Sequence, residues 1–509
     1  MIYAVVALMI IFGFRRLLFC MKFMQQDNYY NKRFLRFAAK GLQLLDKHVS
    51  IPMLAAAIIG EDWALAIPIA ALAAQIIFEK NPSKGAIKPL NITARVKRIF
   101  GVAFGLWIMA AAGALIVPAE YAAYYLTALA VLAPGFLMMA NFLLVPVEKL
   151  INQKFINEAK AKLKKFNPVV VGITGSFGKT SVKNILQHIM ESCSTSFATK
   201  RSINTLMGIV RAIREDMTVA PKYFVAEIGI ADRGQMAEML RFINPKHGIL
   251  TAVGAAHLAN FKKVETVARE KFRLSQWVGK NNGRTIINAL NIDSKFIEKY
   301  GNKSDIIFDG GAIERIKQTE DGLSFSLKYD NETHEIFAPV YGRHQAENIA
   351  MAFIMARILG APADGIILAL KTLKQTEHRL ELRRENGLRI LDDSFNSNMS
   401  GFLSALKTGA ELKGKNKFIL ITPGIVELGK LHAEQHRIVG TAANELADTV
   451  VAVQPERIKD MTERIDKKKL VLADSLAAAR KWLGENAREN DIVLYENDLP
   501  DLYIEKIRI

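Results

Sequence analysis

Cysteine is nearly absent from the chain. With only Cys20 and Cys193 among 509 residues, it carries neither a disulfide framework nor a zinc-ligand pattern, and a reducing compartment suits it. Aromatics are sparse at 8%. Past the first third no basic stretch is interleaved with them, which leaves out nucleic acid as a partner. Charge is missing altogether from residues 101–118 and 126–146. Each run is close to the ~20 apolar residues that cross a bilayer. These absences explain the net charge of +18. In the first third the basic residues crowd beside apolar runs, as the positive-inside rule requires of cytoplasmic loops.

The two uncharged runs predict a helical hairpin turning on the outside near residues 118–120. The opening stretch MIYAVVALMIIFGF is apolar and is followed by Arg15 and Arg16. A secretory signal carries its positive charge before the apolar run, so a short uncleaved anchor with its amino end outside is expected. Residues 51–78 are apolar but interrupted by Glu61 and Asp62, which predicts a tight, shallow or re-entrant hairpin turning at 60–62. Both of its flanks are basic, so an even number of crossings, or none, keeps both in the cytoplasm. Lys149, Lys154, Lys160, Lys162, Lys164 and Lys165 bracket the exit from the last run. Residues 1–150 are expected to form a multi-pass region of about three to five helical segments in the inner (cytoplasmic) membrane, among its lipids. Residues 151–167 then make a basic linker helix, and all that follows lies in the cytoplasm, where ATP is.

Beyond the linker, apolar and charged segments alternate as in a soluble α/β protein. In NPVVVGITGSFGKTSVKNIL (167–186) a β-branched run ends in glycine, and Val182, Ile185, Leu186 and Ile189 follow at helical spacing. Residues 172–180 are thus a strand-to-helix loop. Such loops aim backbone N–H groups and a helix N-terminus at anionic phosphate. Thr174, Gly175, Ser176, Phe177, Gly178, Lys179, Thr180 and Ser181 are the candidate nucleotide ligands. Lys179 supplies a point charge for the β/γ-phosphates, and the Thr180 hydroxyl suits Mg²⁺. The strict P-loop pattern needs glycine where Ile173 stands; glycines fall at 172, 175 and 178 instead.

GITGSFGKTS resembles the ATP loop of the Mur ligases, which join amino acids or peptides to cell-wall precursors, and further motifs follow in that family's order. The resemblance implies a metal-binding glutamate at Glu227, in the apolar strand KYFVAEIGI. It implies a histidine near a second Mg²⁺ at His257, in an A-H-L loop. At Lys271 it implies a lysine that is carbamylated in many members, the carbamate giving an oxygen to that metal. YGRHQAENIA resembles the family's G-x-H-N-x-x-N helix start. Asn348 matches the second asparagine, near the nucleotide base, and Gln345 replaces the first. TEHRLELRRENGLRILDDSFNSNMSG resembles the MurF-type junction into the C-terminal domain. There Arg379 matches the arginine that reaches ATP phosphates on domain closure, and Asp393 the acid on the ribose hydroxyls. Phe395 stands in place of tyrosine and Met399 in place of proline. TKRSINTLMGIVRAI looks like the loop near the acyl substrate.

The implied fold is α/β: an N-terminal helical transmembrane region, a central P-loop ATPase-like parallel-sheet domain over 168–375, and a Rossmann-like C-terminal α/β domain over 376–509. The implied activity is ATP-dependent amide ligation through an acyl phosphate. Lys179, His257, Lys271 and Arg379 would be catalytic, and Thr180, Glu227, His257 and Lys271 would hold metal. The partners would be a muropeptide-type acceptor and an amino acid or dipeptide amine, D-alanyl-D-alanine for the MurF type. MurF-type ligases begin with a soluble domain that holds the substrate's uridine nucleotide, whereas apolar segments and a basic linker fill residues 1–165. The acceptor is therefore expected to be either lipid-linked at the membrane or UDP-linked and held by the central domain alone. A poly-γ-glutamate-type synthase and a non-catalytic nucleotide-binding scaffold are the other readings. GIVELG and ENDLPDLY favour the MurF type, and a scaffold has no use for Lys179, Glu227, His257 and Lys271 together.

Overall fold

The computed structural model describes residues 2–27, 29–40, 47–59, 66–78, 89–254, 261, 263–395, 397–426 and 428–497. The chain divides after Gln153 into two compact units. The described residues of the first unit build helices α1 (Ile2–Gln26), α2 (Asn31–Lys40), α3 (Lys47–Ile59), α4 (Ala66–Phe78), α5 (Ala94–Gly113), α6 (Ala119–Val131) and the start of α7 (Ala133–Phe166). At 25, 20 and 34 residues, α1, α5 and α7 are long and apolar enough to cross a membrane. α1 outruns the short anchor expected of it. It passes through Arg15 and Arg16 to Gln26 because LLFCMKFMQQ holds neither glycine nor proline to stop it. It packs on α5, where Trp107 Nε1 donates to Met9 O (2.9 Å). Gly13 makes that approach possible, since a Cβ there would run into the indole ring.

The apolar stretch 51–78 does form two helices, α3 and α4, of 13 residues each. Each is about 20 Å long, short of the ~30 Å hydrocarbon core. The turn expected at 60–62 lies outside the described residues. The uncharged run 126–146 is not the single helix expected. Pro134 has no N–H to give to the preceding turn, so α6 stops at Val131 and α7 restarts at Ala133 with the proline in its first turn. α7 then continues unbroken through the basic stretch to Phe166. Arg98 on α5 makes a two-pronged bond to Glu148 on α7, at 2.7 and 3.0 Å.

In the second unit, β1 (Val169–Thr174), β2 (Ser196–Ala198), β3 (Tyr223–Ile228), β4 (His247–Leu250), β5 (Thr285–Asn288) and β6 (Asp305–Phe308) form a parallel sheet in the order β2-β3-β1-β4-β5-β6. β1 and β3 read VVVGIT and YFVAEI, apolar almost throughout, as strands covered on both faces must be. Helix α8 (Lys179–Cys193) follows β1 and buries Val182, Ile185, Leu186 and Ile189. β7 (Ile313–Thr319), β8 (Gly322–Tyr329) and β9 (Glu332–Ala338) make an antiparallel sheet. Its β8–β9 turn is Asp330-Asn331, both at positive φ, the geometry of a two-residue hairpin. β10 (Glu381–Glu385), β11 (Leu388–Asp393), β12 (Phe418–Thr422), β13 (Thr449–Val453), β14 (Leu470–Ala473) and β15 (Ile492–Glu496) form the last sheet, in the order β10-β11-β15-β12-β13-β14. It is parallel except for its edge strand β10.

Candidate active site

Side chains gather at the carboxy ends of the parallel strands, where open α/β sheets bind ligands. β1 ends in Thr174, whose hydroxyl donates to Ile228 O (3.0 Å) and so ties β1 to β3. The chain then turns through residues 175–178 into α8. Gly178 sits at φ +80°, the left-handed region that favours glycine. A Cβ on Gly175 would run into the Thr251 hydroxyl, which donates to Phe177 O. Ser176 N donates to Ala252 O (2.9 Å), and Gly254 N to Ser176 Oγ (2.9 Å). The segment after β4 therefore clamps the loop, and this clamp is what requires glycine at 175. Lys179 Nζ folds back onto Gly175 O (2.8 Å) and Ser176 O (3.4 Å). Burial lowers its pKa, with Glu227 acting the other way and Arg379 adding to the fall.

Glu227, on β3, is buried with both oxygens engaged. Thr180 Oγ1 donates to Oε2 (3.0 Å), Asn204 Nδ2 donates to Oε1 (2.8 Å), and Lys183 Nζ lies 3.6 Å from Oε2. A carboxylate beside a hydroxyl is a hard oxygen donor set, suited to Mg²⁺. Here a cavity of ≈ 500 Å³ opens. Ser176, Phe177, Gly178, Lys179, Thr180, Ser181, Asn204 and Glu227 line it from the first sheet's side, and Arg379, Phe395, Met399 and Ile425 from the last sheet's side.

A second cavity of ≈ 90 Å³ shares Phe177, Gly178, Ser181 and Arg379 with the first. Its other walls include Asn288, Asn291, His344, Glu347, Asn348 and Asp393. Asn348 Nδ2 donates to Gln345 Oε1 (3.0 Å), so the substituted amide at 345 keeps its asparagine partner. Asn288 Nδ2 and Asn291 Nδ2 both donate to Glu347 Oε2 (3.3 and 2.8 Å). Burial holds His344 neutral, its pKa lowered to about 4. Planar amides and a neutral imidazole around a narrow slot suit a nucleotide's base and ribose.

Arg379 reaches both cavities, with its guanidinium 4.2 Å from the Phe395 ring centre. Burial lowers its pKa while Asp393 and Glu227 oppose the fall. Asp393 ends β11 and accepts from Leu380 N (3.1 Å). Burial raises its pKa to about 6, against the pull of Arg379. Its register partner on β15 is the buried Glu496, which accepts from Ser397 Oγ (2.6 Å). Burial, and then the Asp393 charge, push the Glu496 carboxyl well up. Both folded-state pKa values lie above the ordinary carboxylate range, so the native state binds more protons than the unfolded chain. The pair therefore weakens the fold at neutral pH, and that penalty is relieved as pH falls through about 6. Glu496→Gln is expected to raise the melting temperature, and more at about pH 8 than at about pH 5. Calorimetry at both pH values checks this; an equal or smaller gain at the higher pH would refute it.

Lys271 is buried on the helix Val264–Lys280. Burial, then the charge of Lys179, push its pKa well below the ordinary ammonium range. His257 falls within 255–260, outside the described residues. The structure thus gathers Ser176, Phe177, Gly178, Lys179, Thr180, Ser181, Glu227, Asn348, Arg379 and Asp393 around two joined cavities. Thr174 and Gly175 shape the loop from behind. Sequence reasoning missed Lys183, Asn204, Asn288, Asn291, His344 and Glu347. Lys183 had a signal, since KTSVK puts it one turn beyond Lys179 on the same helix face. Asn288 and Asn291 had none, because only the sheet order brings the end of β5 to the helix His344–Ile358.

Comparison with known proteins finds two matching family models. The Mur ligase middle domain matches residues 173–356, and the Mur ligase glutamate ligase domain matches residues 378–495. The UDP-N-acetylmuramoyl-tripeptide–D-alanyl-D-alanine ligase of Escherichia coli (strain K12) is 28% identical over 326 residues, 60% of this chain and 71% of that protein. The enzyme of that name from Bacillus subtilis (strain 168) is 25% identical over 366 residues, 66% of this chain and 75% of that protein. Among solved structures, MurF ligase from Thermotoga maritima in complex with ADP superposes with a TM-score of 0.61 at 25% identity, covering 69% of this chain and 81% of that one. MurF from Acinetobacter baumannii, at 21% identity, shares the fold with a TM-score of 0.59, covering 68% and 77%.

Proposed function

The chain belongs to the Mur ligase family of ATP-dependent amide-bond ligases, and from that premise we propose that it adds D-alanyl-D-alanine to a muramoyl tripeptide, UDP- or lipid-linked, from a membrane anchor. One observation carries the proposal. Lys179, the Thr180–Glu227 pair and Arg379 line a single cavity, although the first three stand beside the first parallel sheet and Arg379 just ahead of β10 in the last. That is the arrangement needed to bring a carboxylate to a γ-phosphate. The relatives named above carry this substrate pair in their names.

In the proposed reaction an acceptor carboxylate oxygen attacks the γ-phosphorus, and the bond to the β-bridging oxygen breaks to give an acyl phosphate and ADP. The amine nitrogen then attacks the acyl carbon. The carbon–oxygen bond to phosphate breaks, and the amine loses a proton as the amide forms. Charge on the transferring group grows in the first step, so positioning and neutralisation dominate. Lys179 would leave its loop carbonyls for the β/γ-phosphates, and Arg379 would meet them from the other side. Asp393 would accept from the ribose hydroxyls, and Asn348 would stand by the base. Mg²⁺ held by Thr180 and Glu227 would screen phosphate charge. His257 and a carbamylated Lys271 are proposed for a second Mg²⁺. The three long apolar helices and their basic flanks would keep the ligase unit on the cytoplasmic side.

Phosphate release from ATP by the detergent-solubilised full chain tests the proposal. Muramoyl tripeptide, UDP-linked or lipid-linked, is crossed with D-alanyl-D-alanine and with glutamate. Release is expected only where a muropeptide and D-alanyl-D-alanine meet. Glutamate-driven release without a muropeptide would replace the proposal with a poly-γ-glutamate-type synthase.

A further inference from the structure

Lys183 is fully buried and lines neither cavity. Its ammonium is nonetheless surrounded by oxygen: Thr199 O at 2.8 Å, Arg201 O, and Glu227 Oε2 at 3.6 Å. The two carbonyls belong to the segment that leads from β2 to the helix Leu206–Glu215. That segment is unusual in its own right. Arg201 is held at φ +50°, where a non-glycine residue is strained. Thr199 Oγ1 donates across the turn to Ile203 O (2.8 Å). Asn204 closes it, accepting from Gly229 N (2.8 Å) through its carbonyl and donating to Glu227 Oε1 (2.8 Å) through its side chain. Ser202 and Asn204 then form part of the larger cavity's wall.

A buried ammonium is costly unless paired, and an apolar side chain of the same length would pack as well. What an apolar side chain could not do is draw two carbonyls of one strained turn and a carboxylate onto a single point. Strained backbone of this kind persists only where its surroundings over-determine it. Residues 175–180, which would cradle nucleotide, have no bond to Lys183 beyond the helix that carries both. The wall at 199–204 is thus fixed to Glu227 from one side by Asn204 and from the other by Lys183. We propose that Lys183 is a positioning residue that locks the acceptor-facing wall, residues 199–204, to the Glu227 carboxylate. The wall's shape is then set against a carboxylate that Thr180 and Asn204 still hold when Lys183 is replaced, and the acceptor meets that wall. This rests on the ligase function proposed above.

Hydrogen–deuterium exchange on the full chain in detergent, for wild type, Lys183→Met and Lys183→Arg, tests it directly. In Lys183→Met, exchange at residues 199–204 is expected to rise about tenfold or more, with β1 and β3 unchanged. With UDP-N-acetylmuramoyl tripeptide and D-alanyl-D-alanine as probes, the acceptor KM is expected to rise about tenfold while the ATP KM stays within about twofold. If Lys183→Met fails to fold, Lys183→Arg carries the test. It keeps the charge, but its planar fork cannot meet all three oxygens in the space of an ammonium. Exchange at 199–204 should rise again with the ATP KM unmoved. Unchanged exchange in the variants that fold, or ATP and acceptor KM rising together, overturns the proposal. A wild-type chain that releases no phosphate with these probes would sink the ligase function instead. The exchange comparison would still decide whether Lys183 locks the wall.

Discussion

Lys179→Ala is expected to lower amine-dependent phosphate release at least a hundredfold, since one well-placed charge on a developing anion is worth ~3 kcal/mol or more. The transferring phosphoryl group spreads its charge over equatorial oxygens, and the protein's part is to meet that charge with fixed positive groups. Among the described residues, two cations line the larger cavity, Lys179 and Arg379. Of the two, only Lys179 springs from the phosphate loop itself, at the first position of α8. Its present partners are the carbonyls of Gly175 and Ser176, bonds that a phosphate would replace. Truncation leaves the loop's bonds to Thr251, Ala252 and Gly254 in place, so the fold should tolerate the change. The measurement is kcat at saturating ATP beside the melting temperature. A large loss of kcat with a melting temperature within a few degrees of wild type is the expected pair. Normal turnover by Lys179→Ala would remove Lys179 from the mechanism.

Much of this site was legible in the sequence because local patterns encode it. A strand, a glycine turn and a helix read off in order from NPVVVGITGSFGKTSVKNIL, and the structure places β1, the loop and α8 there. Thr180 and Glu227, far apart in sequence, meet because β1 and β3 are neighbours in the sheet, as the resemblance implied. What stayed hidden depends on topology. Nothing near Asn288 or Asn291 says that Glu347 will lie against them, and nothing near Glu496 says that Asp393 will be its register partner. The apolar helices show a different limit. Hydropathy marks which residues avoid water but not where a helix breaks, and Pro134 divides a run that reads as uniform. Arg15 and Arg16 mislead in the opposite sense, since charge beside an apolar run suggests an end where α1 continues.

Lys271→Ala is expected to lower turnover about a hundredfold or more, and wild-type activity is expected to depend on dissolved CO₂. A lysine at its ordinary pKa is about one part in a thousand free amine near neutral pH, too little to react with CO₂ readily. Lys271 is not ordinary. Burial, and then the Lys179 charge, bring its pKa well down, which raises the share of free amine. Uptake of CO₂ forms a nitrogen–carbon bond, gives an anionic carbamate and releases one proton. The Lys179 charge that repels an ammonium at this position attracts a carbamate there, so the same neighbour favours both steps. The direction with pH follows. Acid reprotonates the amine and reverses carbamate formation, so activity falls as pH drops and bicarbonate restores it at fixed pH. Carbon-13 NMR of protein equilibrated with labelled bicarbonate should show a carbamate signal that is absent from Lys271→Ala. CO₂-depleted buffer should lower wild-type turnover about tenfold, reversibly. Full activity in Lys271→Ala would leave the second metal without its proposed oxygen donor, and the buried amine would then be a packing element of its helix.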